Sequence, residues 1–284
     1  MPKQLSVHTK EKVKKLLAST GDMALKRRAR RIIEELNPQN GEKILDVGCG
    51  DGYYSYLLSG LGIKLDLTGT DFDKRALESA RKNLGSKKIK LFWADLMAKL
   101  PFKDKIFDKI VMSEVAEHLP NDVKGLKEVR RVLKPGGTLV LTVPNANYPF
   151  LWDPVNWILE HLFRTHVKSG FWAGIWSQHR RLYKPAEIKK VVEGAGFKIK
   201  TVEALTWWCL PFNHNLLYSA ARTLHGGGFS PEVAGSINKF KKSKKKPILV
   251  NLIFKIINYF DEMNDLIETR NVGVGVLIKG LNEK

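Results

Sequence analysis

In the stretch ILDVGCGDGYYSYLL, Asp46 closes an apolar run, and Gly48, Gly50 and Gly52 follow it in a G-x-G-x-G pattern. Glycine at these positions permits positive φ and lets a ligand approach the backbone with no Cβ in the way. Tyr53 stands where a dinucleotide fingerprint requires its third glycine, and the Gly-Lys-Ser/Thr of a phosphate loop is missing. Asp46 and Asp51 put two carboxylates beside a helix start, which repels a pyrophosphate and suits a cationic ligand. Asp71, in GTDFD, can accept both hydroxyls of a ribose, the role of an acid about 20 residues after the loop in nucleotide sites. Phe72 can lie against an adenine face or in the core, and Asp95 can accept from an exocyclic amine. Together these residues describe a nucleoside site without a phosphate receptor, fitted to a cationic adenosine derivative.

Two histidines are the candidates for proton chemistry. His118, in AEHLP, and His179, in SQHRRLY, can each serve as a general base or as a structural histidine. Arg180, Arg181 and Tyr183 can bind an anionic acceptor or brace their segment. His161 and His166 lack a convincing carboxylate or cysteine set. Cys49 and Cys209 have no partner at metal-ligand spacing, so neither a metal centre nor a disulfide framework is expected.

These residues need elements to hold them. Short apolar runs, KILDV, LDLTGTD, KIKLFWAD, FDKIVMS and GTLVLTV, alternate with helical segments starting near Gly52, Asp73 and Asp122. That alternation implies βαβ units on a parallel sheet, with ligands at the carboxyl ends of the strands. A helix is predicted from Gly21 to Leu36, stopped by Asn37-Pro38. Beyond Pro144 the chain turns aromatic, and six of its seven tryptophans fall between Trp152 and Trp208. Pro185 opens another helix, stopped at Gly194–Gly196 and followed by the strand FKIKTVEAL. A helix from about Ile248 to Ile267 and a last strand, VGVGVLIKGL, complete the chain. The helix from Ile248 carries a narrow polar stripe, Asn251, Lys255, Asn258, Glu262 and Asp265, opposite a broad apolar face. It is either half-sunk in the domain, the wall of an apolar substrate site, or a membrane-surface helix.

The motifs ILDVGCGDGYYS, GTDFD, FWADL…LPF, FDKIVMSEVAEHL and LKPGGTLVLTVPN, in that order, resemble those of class I S-adenosylmethionine-dependent methyltransferases. The closest style is the ubiquinone and menaquinone biosynthesis group. The match runs from about Gly41 to Asn145 and resumes at HRRLYKPAEIKKVVEGAGFKI. The resemblance implies an α/β, Rossmann-like, seven-stranded, mostly parallel sheet with helices on both faces and an antiparallel last strand. It implies S-adenosyl-L-methionine as cofactor. Asp46, Gly48, Gly50 and Gly52 would face its methionine part, Asp71 its ribose, and Asp95 with its neighbours, Leu96 among them, the adenine. Ser113 and Glu114 would line the cofactor–acceptor boundary. One departure stands out: about 65 residues separate the last two strands, which usually form a near-hairpin. The expected organisation is an N-terminal helical cap (1–40), a cofactor-binding core (41–204, with an aromatic insert at about 146–183), a helical insert (205–271), and the last strand (272–284).

Composition narrows the acceptor. Of the 284 residues, 43% are hydrophobic, ample for a packed core, and the net charge is +19. The clusters KEKVKK, KRRARR and SKKIK read as solvated helix faces, whereas KFKKSKKKP, from Lys239, reads as a mobile loop that contacts anions. The charged N-terminus shows no secretory signal, which suggests a cytoplasmic protein, and an anionic membrane face is a possible peripheral partner. The SEVA after the fourth strand replaces the Asn/Asp-Pro-Pro-aromatic motif of amino-nitrogen methyltransferases, and the cysteine of cytosine-carbon enzymes is absent there. The expected activity is methyl transfer to oxygen or carbon of an apolar or amphiphilic small molecule, of quinone-precursor, lipid or lipid-linked-sugar type. An RNA or ribonucleoprotein methyltransferase and a non-catalytic cofactor-binding module are the alternatives.

Overall fold

A computed structural model of the chain describes residues 5–18, 20–208, 239–240, 248–266 and 271–283. Cys209 and the lysines from Lys241 to Lys246 lie outside the described residues. Seven strands form one sheet: β1 (Lys43–Val47), β2 (Asp66–Asp71), β3 (Ile89–Trp93), β4 (Phe107–Ser113), β5 (Leu133–Pro144), β6 (Lys198–Leu205) and β7 (Gly275–Leu281). Their order is β3-β2-β1-β4-β5-β7-β6. All pairings from β3 through β5 are parallel, and β7 runs antiparallel to both β5 and β6.

The central strands bury both faces, which is why they read as continuous apolar runs. On one face Leu45, Ile110, Met112, Leu139 and Leu141 pack with the helices α5 (Asp122–Val132) and α7 (Pro185–Gly194). On the other, Ile44, Val111, Val140 and Leu277 pack with α1 (Val7–Leu17), α2 (Met23–Leu36) and α3 (Tyr53–Ser59). The helix α4 (Lys74–Leu84) connects β2 to β3 and starts at Asp73, whose side chain accepts from the Arg75 amide. The predicted start of α2 at Gly21 moves to an Asp22 cap, and Asn37 ends it in the left-handed region at φ 45°. Strand β5 begins four residues before the predicted GTLVLTV, at Leu133.

The aromatic segment after β5 contains α6 (Pro154–Phe163) and a short 3₁₀ stretch, Phe171–Trp176. Asp153 caps α6 by accepting from the Asn156 amide at 3.1 Å, and the same carboxylate accepts from the amide of Ile175 at 3.0 Å. One buried acid therefore closes the insert on itself.

The last helix, α8 (Ile248–Met263), is oriented by charge. Arg27 and Arg30 of α2 pair with Asp261 (3.2 Å) and Asp265 (2.6 Å), and Lys26 donates to Asn258. Arg27 is buried, so KRRARR is not simply a solvated face: part of it is the seat of α8. The outward side of α8 carries exposed Leu252, Ile256 and Tyr259, with Leu266 just beyond its end. Among the described residues no helix is long and apolar enough to cross a membrane.

Candidate active site

The glycine loop links β1 to α3 at the carboxyl edge of the sheet. Gly48, Gly50 and Gly52 all have positive φ (66°, 55° and 86°). A Cβ on Gly48 would lie 2.3 Å from Val115, so this glycine lets the loop close against the segment after β4. A Cβ on Gly50 would meet nothing within 4 Å, which leaves open space where a ligand can reach the backbone.

Three acids hold the cradle. Asp46 is buried, and its Oδ2 accepts from the amide (3.0 Å) and hydroxyl (2.7 Å) of Ser55, tying the end of β1 to α3. Burial, opposed by those two bonds and reinforced by Asp71 and Asp51, pushes its carboxyl up to about 6. Asp71, at the end of β2, accepts from the amides of Gly50 and Asp73, each at 2.8 Å. Each of its oxygens keeps a further lone pair for a ligand hydroxyl. Asp95, half-buried after β3, accepts from the amide of Met97 at 2.7 Å, and Leu96 beside it is buried. Phe72 is 67% exposed, so the core alternative for this ring falls away. It sits beside Trp93, whose indole donates to the Phe72 carbonyl at 2.7 Å. Asp51 is not a bare loop charge: Lys239 pairs with it at 2.7 Å. The start of the lysine run therefore lies on the glycine loop.

The next group belongs to β4. The Ser113 hydroxyl bonds Tyr54 Oη (2.9 Å) and Thr142 Oγ1 (2.8 Å), and Thr142 donates to Glu114 (3.1 Å). Glu114 has φ 56°, a left-handed conformation that a non-glycine residue rarely adopts, and it pairs with Arg28 of α2 at 2.6 Å. This ion pair brings the N-terminal helices to the edge of the site. Arg28 is a site residue that sequence reasoning missed; only its place in a basic run marked it.

His118 and His179, 61 positions apart in the chain, come together with ring centroids 5.1 Å apart. Between them lies Glu117, also missed, although EVAEH sets it directly beside His118. Burial and the charge of Glu114 hold the Glu117 carboxyl well above the usual carboxylate range. Burial and the neighbouring His179 lower the pKa of His118. Arg181 and Tyr183 resolve as braces: both reach Asp122, at 3.0 and 2.7 Å, and fix the insert to the start of α5. Arg180 is exposed. His161 stacks on Trp157 and His166 on Trp176, both at 3.8 Å, as parts of the aromatic insert.

Farther along the edge, past β5, lies a cleft of about 480 Å³ lined by Tyr148, Phe150, Trp157, His161, Trp207 and Trp208, among others. The carboxyl edge thus runs from an acidic cradle at β1–β3, through His118 after β4 and His179 of the insert after β5, to an aromatic cleft at β5–β6.

Residues 45–141 match the methyltransferase domain family. Demethylmenaquinone methyltransferase of Staphylococcus aureus is 31% identical over 189 residues, 62% of this chain and 76% of that protein. This chain belongs to the class I S-adenosylmethionine-dependent methyltransferases.

Solved structures share the fold of this methyltransferase. The YcgJ protein of Bacillus subtilis aligns with TM-score 0.53 at 19% identity, over 90% of this chain and 98% of its own. Phosphoethanolamine N-methyltransferase 2 of Haemonchus contortus, solved with S-adenosyl-L-methionine, aligns with TM-score 0.55 at 17% identity, over 90% of this chain and 52% of its own. The cofactor of the family is S-adenosylmethionine. The open approach at Gly50 and the spare lone pairs of Asp71 fit a hydroxylated, cationic nucleoside.

Proposed function

We propose that this enzyme methylates an oxygen or carbon atom of an apolar or amphiphilic small molecule, of quinone-precursor, lipid or lipid-linked-sugar type. The aromatic cleft beside β5 and β6 carries the reading, because it gives an acceptor an apolar seat on the side away from the acidic cradle. The 31% identity to a protein named demethylmenaquinone methyltransferase favours the same class.

Asp46, the glycine loop, Asp71, Phe72, Asp95 and Leu96 would hold S-adenosylmethionine, with Ser113 and Glu114 at its border with the acceptor. When bound, that cofactor supplies a methyl group on a sulfonium, which leaves as a neutral thioether. The chain's own task is chiefly alignment, since an in-line displacement gains most from positioning. The ion pair from Arg28 to Glu114 and the bond from Thr142 fix the carboxylate at that border. His118 and His179 would take the proton that a hydroxyl or carbon acid gives up.

The enzyme works in the cytoplasm, peripheral on an anionic membrane face. The exposed apolar residues of α8 and the net charge of +19 support that placement.

Transfer of label from radiolabelled S-adenosylmethionine into a crude extract, followed by solvent partition, tests the acceptor class. Label in the organic phase is the expected result. Label confined to the aqueous phase and released by ribonuclease would replace this reading with an RNA acceptor. Cofactor binding with no label in either phase would leave a binding module.

A further inference from the structure

Glu117, His118 and His179 converge at the mouth of the site. Glu117 is fully buried in the 3₁₀ turn Ala116–His118. Neither of its carboxylate oxygens has a hydrogen-bond partner among the described residues. Its Oε1 lies 3.7 Å from Nε2 of His118 and 3.8 Å from Nε2 of His179. Those gaps are too wide for hydrogen bonds.

The protons on the rings can be assigned from their other contacts. Nδ1 of His118 meets the carbonyl of Gln178 at 3.1 Å, and Nδ1 of His179 meets the carbonyl of Ile175. A carbonyl only accepts, so each neutral ring carries its hydrogen on Nδ1 and leaves a lone pair on Nε2. An imidazole held through its far nitrogen in this way is oriented as metal-binding histidines are. A cation among the three groups would offset the cost of ionising this buried carboxyl.

We propose that Glu117, His118 and His179 bind a divalent transition-metal ion of the zinc class. One ligand atom from each residue can be chosen so that all three lie within 4.8 Å of one another. Two imidazoles and a carboxylate suit zinc, copper, iron or nickel better than magnesium, calcium or manganese. Metal bonds of about 2.0–2.2 Å place tetrahedral ligand atoms roughly 3.3–3.6 Å apart. Glu117 Oε1, at 3.7 and 3.8 Å from the two rings, therefore closes by a few tenths of an ångström. The rings, within 4.8 Å of each other, close by up to about 1.2–1.5 Å through side-chain rotation. Glu114 is committed to Arg28 and Thr142 and is not needed as a ligand.

Three protein ligands leave an open coordination position. His118 is the most exposed of the three, so that position lies towards solvent. Here the inference rests on the methyltransferase reading: an acceptor hydroxyl taking that position would lose its proton more readily than a free one. The proton would pass to solvent water at the exposed side of the cluster, so neither histidine would be needed as a general base.

The test is titration of the metal-stripped full chain with cobalt(II) alone, followed by visible absorption. Ligand-field bands saturating near one equivalent are expected. Glu117→Gln and His179→Ala should each weaken binding at least tenfold, whereas His166→Ala, in the aromatic insert, should not change it. Circular dichroism and calorimetric S-adenosylmethionine binding on the same samples establish that each variant is folded. His179 is partly exposed, so its variant serves even if the Glu117 variant does not fold. Absence of bands in the parent chain, or equal binding by the folded variants, would overturn the site. Because cofactor binding is read separately, that failure would leave the methyltransferase reading intact.

Discussion

Asp71 accepts the amide of Gly50 at 2.8 Å, joining the end of β2 to the middle of the glycine loop 21 residues earlier. Its other oxygen accepts the amide of Asp73, the cap of α4. One carboxylate therefore sets the shape of the loop and keeps a lone pair on each oxygen for a ligand. Asp71→Ala should weaken S-adenosylmethionine binding tenfold or more, through lost hydroxyl contacts and a loosened loop. Asp71→Asn keeps one acceptor oxygen and should fall between the two. Unchanged affinity by calorimetry in Asp71→Ala would remove this residue from the cofactor site.

Gly48 and Gly50 separate two uses of glycine. Both have positive φ, so alanine at either costs about 1–2 kcal/mol in backbone strain. At Gly48 the new methyl also meets Val115 at 2.3 Å, whereas at Gly50 it meets nothing within 4 Å. Gly48→Ala should therefore lower the urea midpoint more than Gly50→Ala. Adding Val115→Ala should recover part of the Gly48→Ala loss while leaving the backbone strain. Gly50→Ala should instead show its larger effect on cofactor affinity. Equal loss of stability in the two single variants would contradict the close approach of Val115.

The strands were legible because their signals are local. KILDV and FDKIVMS match β1 and β4 residue for residue, since strands buried on both faces leave uninterrupted apolar runs. The helix of α8 was legible too, but its orientation was not. A hydrophobic pattern divides a helix into faces without saying which face packs, and here Arg27 and Arg30 drew the acidic side inwards. The meeting of Glu117 with His179 was hidden for a related reason. It depends on how the aromatic insert folds back, which Asp153 and the Arg181–Asp122 pair decide at long range. Glu114 lay in plain view, yet its partner Arg28 belongs to a run whose composition suggests only a wet surface.

Asp46 predicts a pH dependence whose sign follows from its burial. Its folded-state pKa of about 6 lies above the ordinary value of 3.8. Between about pH 4 and pH 6 the folded chain holds a proton that the unfolded chain has released. The stability contributed by this group therefore falls as pH rises through that window and is level above it. The change is on the order of 3 kcal/mol. Asp46→Asn keeps an oxygen for Ser55 and cannot ionise, so its stability relative to the parent should rise from pH 4 to pH 7. Urea unfolding of both proteins at the two pH values measures this. Parallel behaviour would mean that the Asp46 carboxylate is ionised in the folded chain throughout.

The outward side of α8 tests the proposed membrane placement. Leu252, Ile256 and Tyr259 are exposed on one side, and the opposite side is fixed to α2 by ion pairs. Transfer of one such side chain from water to an apolar medium is worth about 1.5–3 kcal/mol, enough for tenfold or more in partitioning. The full chain should sediment with vesicles of phosphatidylglycerol and phosphatidylcholine. Leu252→Glu and Tyr259→Glu should each release it by roughly that factor without lowering the thermal midpoint, because neither side chain is buried. Raised salt should weaken binding of the parent and the variants alike, as attraction between basic protein and anionic lipid is screened. If the parent binds vesicles and both variants bind as tightly, the basic surface alone makes the contact and α8 has no part in it.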